Sequence, residues 1–298
     1  MTTAPDPLIL VPEQLTKASD DARVARRERL RLVLRSKTFL VGSVMLLFWI
    51  FCALFGEMVA PKSPFASDPL NRLASPSGEF WFGTDRLGRD VFSRVLAGAR
   101  EILTVAPLAT LLGTGLGTVL GLVTGYFRGL VDDAIMRLMD ALLAVPLVIL
   151  ALLALVALGP SNTTVIVVIG IVFTPLVART VRAAVLAEAQ LEYVQAARLR
   201  NERAPYIMFA EILPNVLPPV IVEFTVRLGY AVFTIAALSF LGFGIQPPAP
   251  DWGLQVFENY GFLSANIWWP VLFPAVAIAS LVVAVNLIAD GITQAFER

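Results

Sequence analysis

Two ionisable residues interrupt an otherwise apolar stretch of this sequence. Glu223 and Arg227 lie within the run 216–240, four positions apart. On a helix they share a face and can pair. An unpaired charge at mid-membrane costs at least about 2.5–3.5 kcal/mol, so both are expected to face the bundle interior, an aqueous path or a partner subunit. The pair fits two roles, a glue between two helices or a polar lining for a transport path. Other chemistry is sparse. The chain has no histidine, which excludes a Ser-His-Asp triad and a His-ligated metal site. Carboxylates in the apolar runs show no paired pattern for general acid–base work. No Gly-Lys pair occurs, so the phosphate-binding loop that such a pair completes is absent, and ATP hydrolysis by that route is not expected of this chain. No catalytic residue, cofactor-binding residue or metal ligand is expected. Cys52 is the one cysteine, so no internal disulfide can form.

The elements that must position the charged pair follow from composition. Of 298 residues, 57% are hydrophobic and 15% charged, and mean hydropathy is +0.76. Soluble domains are nearer 45–50% apolar and about 25% charged, so a polytopic membrane protein is indicated. The 23 basic and 23 acidic residues cancel, which argues against nucleic-acid binding. A helix needs about 20 apolar residues to cross the bilayer core. Uncharged runs at 39–56, 102–127, 141–178 and 267–289, with the run 216–240, supply them. The run 141–178 is too long for one crossing and is broken by Leu158-Gly159-Pro160-Ser161-Asn162, a turn-type cluster. It reads as a hairpin of two helices, the first starting near Met136. The expectation is an all-α chain with six transmembrane helices. The 38 residues before the first apolar run are too many for a signal-peptide n-region, so that helix is expected to be retained.

Loop charge gives the expected orientation. Lys17, Arg23, Arg26, Arg27, Arg29, Arg31, Arg35 and Lys37 precede the first run, favouring a cytoplasmic N-terminus. Six spans return the C-terminus to the same side. Arg128 and Arg137 then fall inside, as does the segment 179–211 with Arg182, Arg198, Arg200 and Arg203; the loop 244–266, with no Lys or Arg, falls outside. Segment 61–101 is a counter-signal, since it carries Lys62, Arg72, Arg86, Arg89, Arg94 and Arg100 yet is assigned outside. The expected organisation is a cytoplasmic segment 1–37, a first transmembrane helix 38–60, an extracytoplasmic segment 61–101, and a five-helix core 102–298 with a cytoplasmic loop 179–211. Within that loop, 186–199 is rich in helix formers, which suits docking to a soluble partner or a solvated connector. In the second run, Gly113, Gly117, Gly121 and Gly125 recur every four residues and share one helix face. A neighbouring helix can approach closely there, as generic packing or as a sliding surface.

The stretch Gly83-Thr84-Asp85-Arg86-Leu87-Gly88-Arg89-Asp90-Val91-Phe92-Ser93-Arg94 resembles a signature of ABC-importer permeases for dipeptides, oligopeptides and nickel, in particular the second (C-type) permease subunit. Glu192-Tyr193-Val194-Gln195-Ala196-Ala197-Arg198 and Ile212-Leu213-Pro214-Asn215 resemble the start and end of the family's cytoplasmic EAA loop. Residues 238–253, and Asn286-Leu287 with Asp290, are similar to the loop leaving span five and to the last helix. The resemblance covers roughly residues 30–298. It implies a type I importer permease (MetI-like) fold in a bacterial inner membrane, a homologous second permease completing the pore, two cytoplasmic ATPases that bind ATP and Mg, and a substrate-binding protein outside. It also implies that Glu192, Tyr193, Gln195, Ala196, Ala197, Arg198 and Asn201 form the coupling contact with an ATPase, Ala196 and Ala197 allowing close approach. Family members usually have Glu at position 195, Gly at 201 and neutral residues at 223 and 227. Asn at 201 tolerates the left-handed backbone that such a turn needs. The implied cargo is peptides, with nickel chelates, glutathione or another small solute as the alternative. On residues alone, a proton-coupled carrier or channel subunit stays open, although a carrier would normally carry ionisable residues in several spans.

Overall fold

The computed structural model describes residues 36–296. The basic cluster from Lys17 to Arg35, and the segment 1–37 but for its last two residues, lie outside the described residues. Nine helices organise those residues: α1 (Lys37–Val59), α2 (Val91–Phe127), α3 (Leu130–Leu143), α4 (Leu147–Leu158), α5 (Asn162–Glu188), α6 (Glu192–Leu199), α7 (Ala204–Phe240), α8 (Trp252–Asn259) and α9 (Trp269–Phe296). Among the described residues the pairing of Thr84 with Asp90 is the only β-type contact. Helices α1, α2, α5, α7 and α9 are each long and apolar enough to cross a membrane, and α3 with α4 makes a sixth crossing if the bent pair counts as one.

Several helices extend beyond the uncharged runs that announced them. α2 starts at Val91 rather than near 102, because the Asp90 carboxylate caps it, accepting from Ser93 N at 2.8 Å. Its first turns hold Ser93, Arg94, Arg100 and Glu101, which a charge-free window leaves out. α7 begins at Ala204 rather than 216. Its turn Ile207–Ile212 is π-helical. Pro214, Pro218 and Pro219 lack the N–H that the regular ladder needs, and a wider turn is one way a helix accommodates such a break.

The expected hairpin is present in its second limb only. Ser161 caps α5, its Oγ accepting from Thr164 N at 3.1 Å, and Gly159 turns the chain at φ +82°. The first limb is not one helix from Met136. It is α3 from Leu130 and then α4 from Leu147, bent by 88° at the break that contains Pro146. At 12 residues, α4 is about 18 Å long and too short to span the bilayer core alone.

The glycine face of α2 lies against α5. A Cβ added to Gly113 would meet Gly170 O at 2.8 Å; at Gly117, Gly121 and Gly125 it would meet the Cβ of Val177, Val181 and Val185 at 2.6–2.7 Å. Glycine on one helix therefore sits opposite valine on the other, one turn at a time. Lipid tails are as apolar as these side chains, so close backbone approach and dispersion hold the pair together. Two buried clusters flank this seam. One gathers Trp49 and Cys52 of α1 with Val95, Ile102, Phe173, Ile235, Trp252 and Leu281. The other lies at the α6 end, with Leu122, Val181, Val185, Val194, Ala197, Ile207 and Ile212. Cys52 is 3% exposed.

Candidate functional sites

The loop expected to dock a partner is built around α6. The stretch 186–199 is not one helix: α5 ends at Glu188, residues 189–191 turn, and α6 starts at Glu192. α6 is tied to both neighbours through Tyr193. Its hydroxyl donates to Glu188 Oε1 at 2.7 Å and accepts from Asn215 Nδ2 at 3.0 Å; the same Nδ2 donates to Glu211 O at 2.9 Å. Burial, together with the Glu188 carboxylate, pushes the Tyr193 hydroxyl up to about 12, so it stays a donor at neutral pH. Gln195 Nε2 donates to Ala189 O at 3.0 Å, and the Arg198 guanidinium lies 4.8 Å above the Tyr126 ring. Asn201 adopts φ +58° and closes α6: its N–H reaches Arg198 O at 3.0 Å while Glu202 N reaches Ala197 O at 3.2 Å. This is the paired-bond terminus that glycine normally supplies, here made with asparagine.

The faces of α6 separate its two alanines. Glu192, Gln195, Ala196 and Leu199 are exposed, Leu199 to 86%. Val194 and Ala197 are fully buried in the chain's own cluster against Leu122, Val181 and Ile212. The expectation that Ala197 offers a small surface to a partner is thereby corrected. Its side chain meets this chain, and only Ala196 of the two faces outward.

Glu223 and Arg227 do pair. Arg227 Nε donates to Glu223 Oε2 at 2.9 Å, and Thr180 Oγ1 of α5 donates to Glu223 Oε1 at 2.9 Å. The two side chains are 14% and 17% exposed. Arg227 also lies 5.7 Å from the Tyr230 ring centre. Glu223 is 17 residues from the α7 end at Phe240 and Thr180 is 18 residues from the α5 start at Asn162, about 26 Å of helix in each case. The pair therefore lies toward the α6 end of the bundle rather than at its centre. Two further ion pairs pin α3 to α5 near that end. Arg182 grips Asp132 with Nε–Oδ1 at 2.6 Å and Nη2–Oδ2 at 2.5 Å, and Arg179 pairs with Asp140.

Sequence reasoning did not find the role of the 83–94 stretch. It is a knot at the end of the bundle opposite α6. Gly83 and Gly88 take φ +71° and +75°, and an added Cβ on Gly83 would collide with Trp269 Cδ1 at 2.5 Å. Asp85 Oδ1 accepts from Leu87 N at 2.8 Å and Arg89 N at 2.9 Å; its Oδ2 accepts from Arg89 Nε at 2.6 Å. Arg94, fully buried, places Nε 3.8 Å from the same oxygen and donates to Pro64 O at 3.0 Å. Across the knot, Glu258 of α8 pairs with Arg89 and, at 2.9 Å, with Arg86, while Trp269 Nε1 of α9 donates to Thr84 O at 3.1 Å. Burial raises the Glu258 carboxyl, but the hydrogen bond from Arg86 and the charge of Arg89 more than reverse this and hold it below its ordinary range. Asp251 is the opposite case: buried and away from any cation, it is pushed up to about 6 despite capping α8 through Leu254 N at 2.8 Å. The segment 61–101 thus packs on its own chain. A usable signal was present, because Asp251 and Glu258 are uncompensated acids in a loop without Lys or Arg, facing a segment rich in arginine.

Comparison with known proteins agrees with this architecture. Residues 117–298 match the family described as binding-protein-dependent transport system inner membrane component, and residues 27–76 match the N-terminal TM domain of oligopeptide transport permease C. The chain is 36% identical to a dipeptide transport system permease protein of Alkalihalophilus pseudofirmus over 97% of its own length and 96% of the relative's. It is 35% identical to a di/tripeptide transport system permease protein of Pseudomonas aeruginosa, covering 88% of each. It is 36% identical to a glutathione transport system permease protein of Escherichia coli over 93% of this chain and 92% of that one. Among solved structures, inward facing conformations of the MetNI methionine ABC transporter share the fold, with a TM-score of 0.56 at 21% identity, covering 69% of this chain and 97% of that one. With more than half of its length inside the matched region, and relatives above 30% identity along nearly all of it, the chain belongs to the binding-protein-dependent transport system inner membrane component family.

Proposed function

We propose that this chain is one of two permease subunits of an ATP-driven importer that carries peptides across a bacterial inner membrane. The observation that carries this reading is α6. A short helix is fixed by Tyr193 to the ends of α5 and α7, closed by Asn201, and presents Glu192, Gln195, Ala196 and Leu199 outward. A rigid projection of this kind transmits a push from a soluble partner into two spans at once. Both termini and α6 lie in the cytoplasm in this reading, and the Asp85 knot lies outside, toward a substrate-binding protein. ATP and Mg belong to two partner ATPases, and a second, homologous permease completes the path. Peptide as the cargo class follows the names of the relatives. Among the described residues no group of three or more His, Cys, Asp or Glu could hold a metal ion, so direct metal contact in the path has no support.

The two alanines of α6 give the test. Ala196→Trp places an indole on the exposed face and should abolish or uncouple peptide-stimulated ATP hydrolysis, while the isolated chain keeps its thermal stability. Ala197→Trp overfills the buried cluster and should lower the stability of the chain itself, by about 1–3 kcal/mol or more. The checks are ATPase activity of the reconstituted complex with its binding protein, and thermal unfolding of the permease alone. Ala196→Trp with unchanged stimulation would overturn the docking role of α6.

A further inference from the structure

The Glu223–Arg227 pair is lopsided. Both carboxylate oxygens are engaged, Oε1 by Thr180 and Oε2 by Arg227 Nε. The guanidinium, by contrast, spends one of its five N–H donors. Among the described residues neither Nη has a hydrogen-bond partner, and neither is enclosed by the chain. The negative member is therefore saturated and anchored to α5, and the positive member keeps an open planar fork. A pair in this state takes an anion rather than a cation. The paired Nη groups match the two oxygens of a carboxylate in bidentate geometry. Tyr230, 57% exposed, stands one turn further from α6, with Arg227 5.7 Å from its ring. The ring steadies the guanidinium by cation–π attraction while leaving its outer edge free. Arg227 is 13 residues from the α7 end at Phe240, about 20 Å of helix, so its open edge lies at a depth where lipid would leave it unsatisfied.

We propose that Arg227 is a specificity-determining residue of the translocation path, reading a carboxylate of the passing peptide while Glu223 holds it in place. This rests on the peptide-importer reading above. The carboxylate can be the peptide C-terminus or an acidic side chain, and the assay separates them.

The experiment measures uptake of a peptide and of its C-terminal amide by the complete importer in proteoliposomes, for wild type and Arg227→Gln. The same binding protein serves both, so its own preference for the free acid cancels when the two acid-to-amide uptake ratios are compared. The expected ratio is about tenfold higher in wild type, the scale of one charged hydrogen-bonded contact. An amide carrying a glutamate side chain that regains uptake in wild type alone identifies the side-chain carboxylate as sufficient; failure to regain assigns the C-terminus. Arg227→Lys keeps the charge without the fork and carries the test if the Gln variant does not assemble: its ratio should fall below wild type. Equal ratios in wild type and the assembled variant overturn the inference and leave the importer reading standing. No uptake of any peptide by wild type overturns both.

Discussion

Replacing Gly117 and Gly121 together with valine should keep the chain from reaching a folded, detergent-stable state. At each position the new Cβ would fall 2.6–2.7 Å from a valine Cβ on α5, far inside contact distance. The clash involves the root of a β-branched side chain beside backbone, so rotamer changes cannot relieve it, and α2 and α5 must separate. Overpacking of a tight core costs about 1–3 kcal/mol per site. Here two sites one turn apart act on the same seam, and the marginal stability of folded domains is only about 5–15 kcal/mol. Separation also forfeits the close backbone contacts that substitute for a hydrophobic driving force in lipid. Gly115→Ala is the control, because a Cβ there meets nothing within 4 Å. Yield of monodisperse protein and its melting temperature should collapse in the double variant and hold in the control.

Asp85→Asn should be the most damaging single change outside the helix seam. The carboxylate is 2% exposed, pairs with Arg89 at 2.6 Å and sits 3.8 Å from Arg94. Its loss leaves two buried guanidinium groups sharing Glu258. Removing one partner from a buried ion network costs about 3–5 kcal/mol, because the remaining charge keeps its desolvation penalty. The exposed Lys62–Glu79 pair, with Glu79 71% exposed, provides the contrast: Glu79→Gln should change stability by no more than about 1 kcal/mol. Thermal unfolding at neutral pH measures both. The knot also has a pH signature. Glu258 is held below its ordinary range, so its contribution is complete above the unfolded carboxylate value of about 4.3 and disappears as pH falls through its folded value. Asp251 acts with the opposite sign. Its folded value of about 6 means that a cost appears as pH rises from about 4 and is complete above the folded value. The acid limb of the stability profile should flatten in Glu258→Gln, and the decline toward neutral pH should flatten in Asp251→Asn.

What could be read in the sequence and what could not divide along physical lines. Apolar runs located the long helices, because an uncharged stretch near 20 residues has few alternatives. Their ends were missed where capping chemistry, not hydropathy, decides. Asp90 starts α2 eleven residues before its uncharged run, and the prolines of α7 lie inside a helix that they would ordinarily end. The bend of 88° between α3 and α4 has Pro146 as its local cause, but periodicity does not give its size. Spacing placed the four glycines on one face without naming the valines opposite. The i, i+4 spacing anticipated the Glu223–Arg227 bond, whereas Thr180, some 43 positions away, is tertiary information. The same holds for Ala197: adjacent alanines look alike in sequence, and only packing turns one inward.

Cys52, buried in α1, has a practical consequence. It is the sole thiol of the 298-residue chain and is 3% exposed. A water-soluble maleimide should therefore leave the native permease unlabelled. One cysteine introduced at Leu199, 86% exposed on α6, would then be the single reactive position, with no need for a cysteine-free background. A spin label or fluorophore at that point would follow the movement of α6 through the transport cycle in an otherwise unaltered protein.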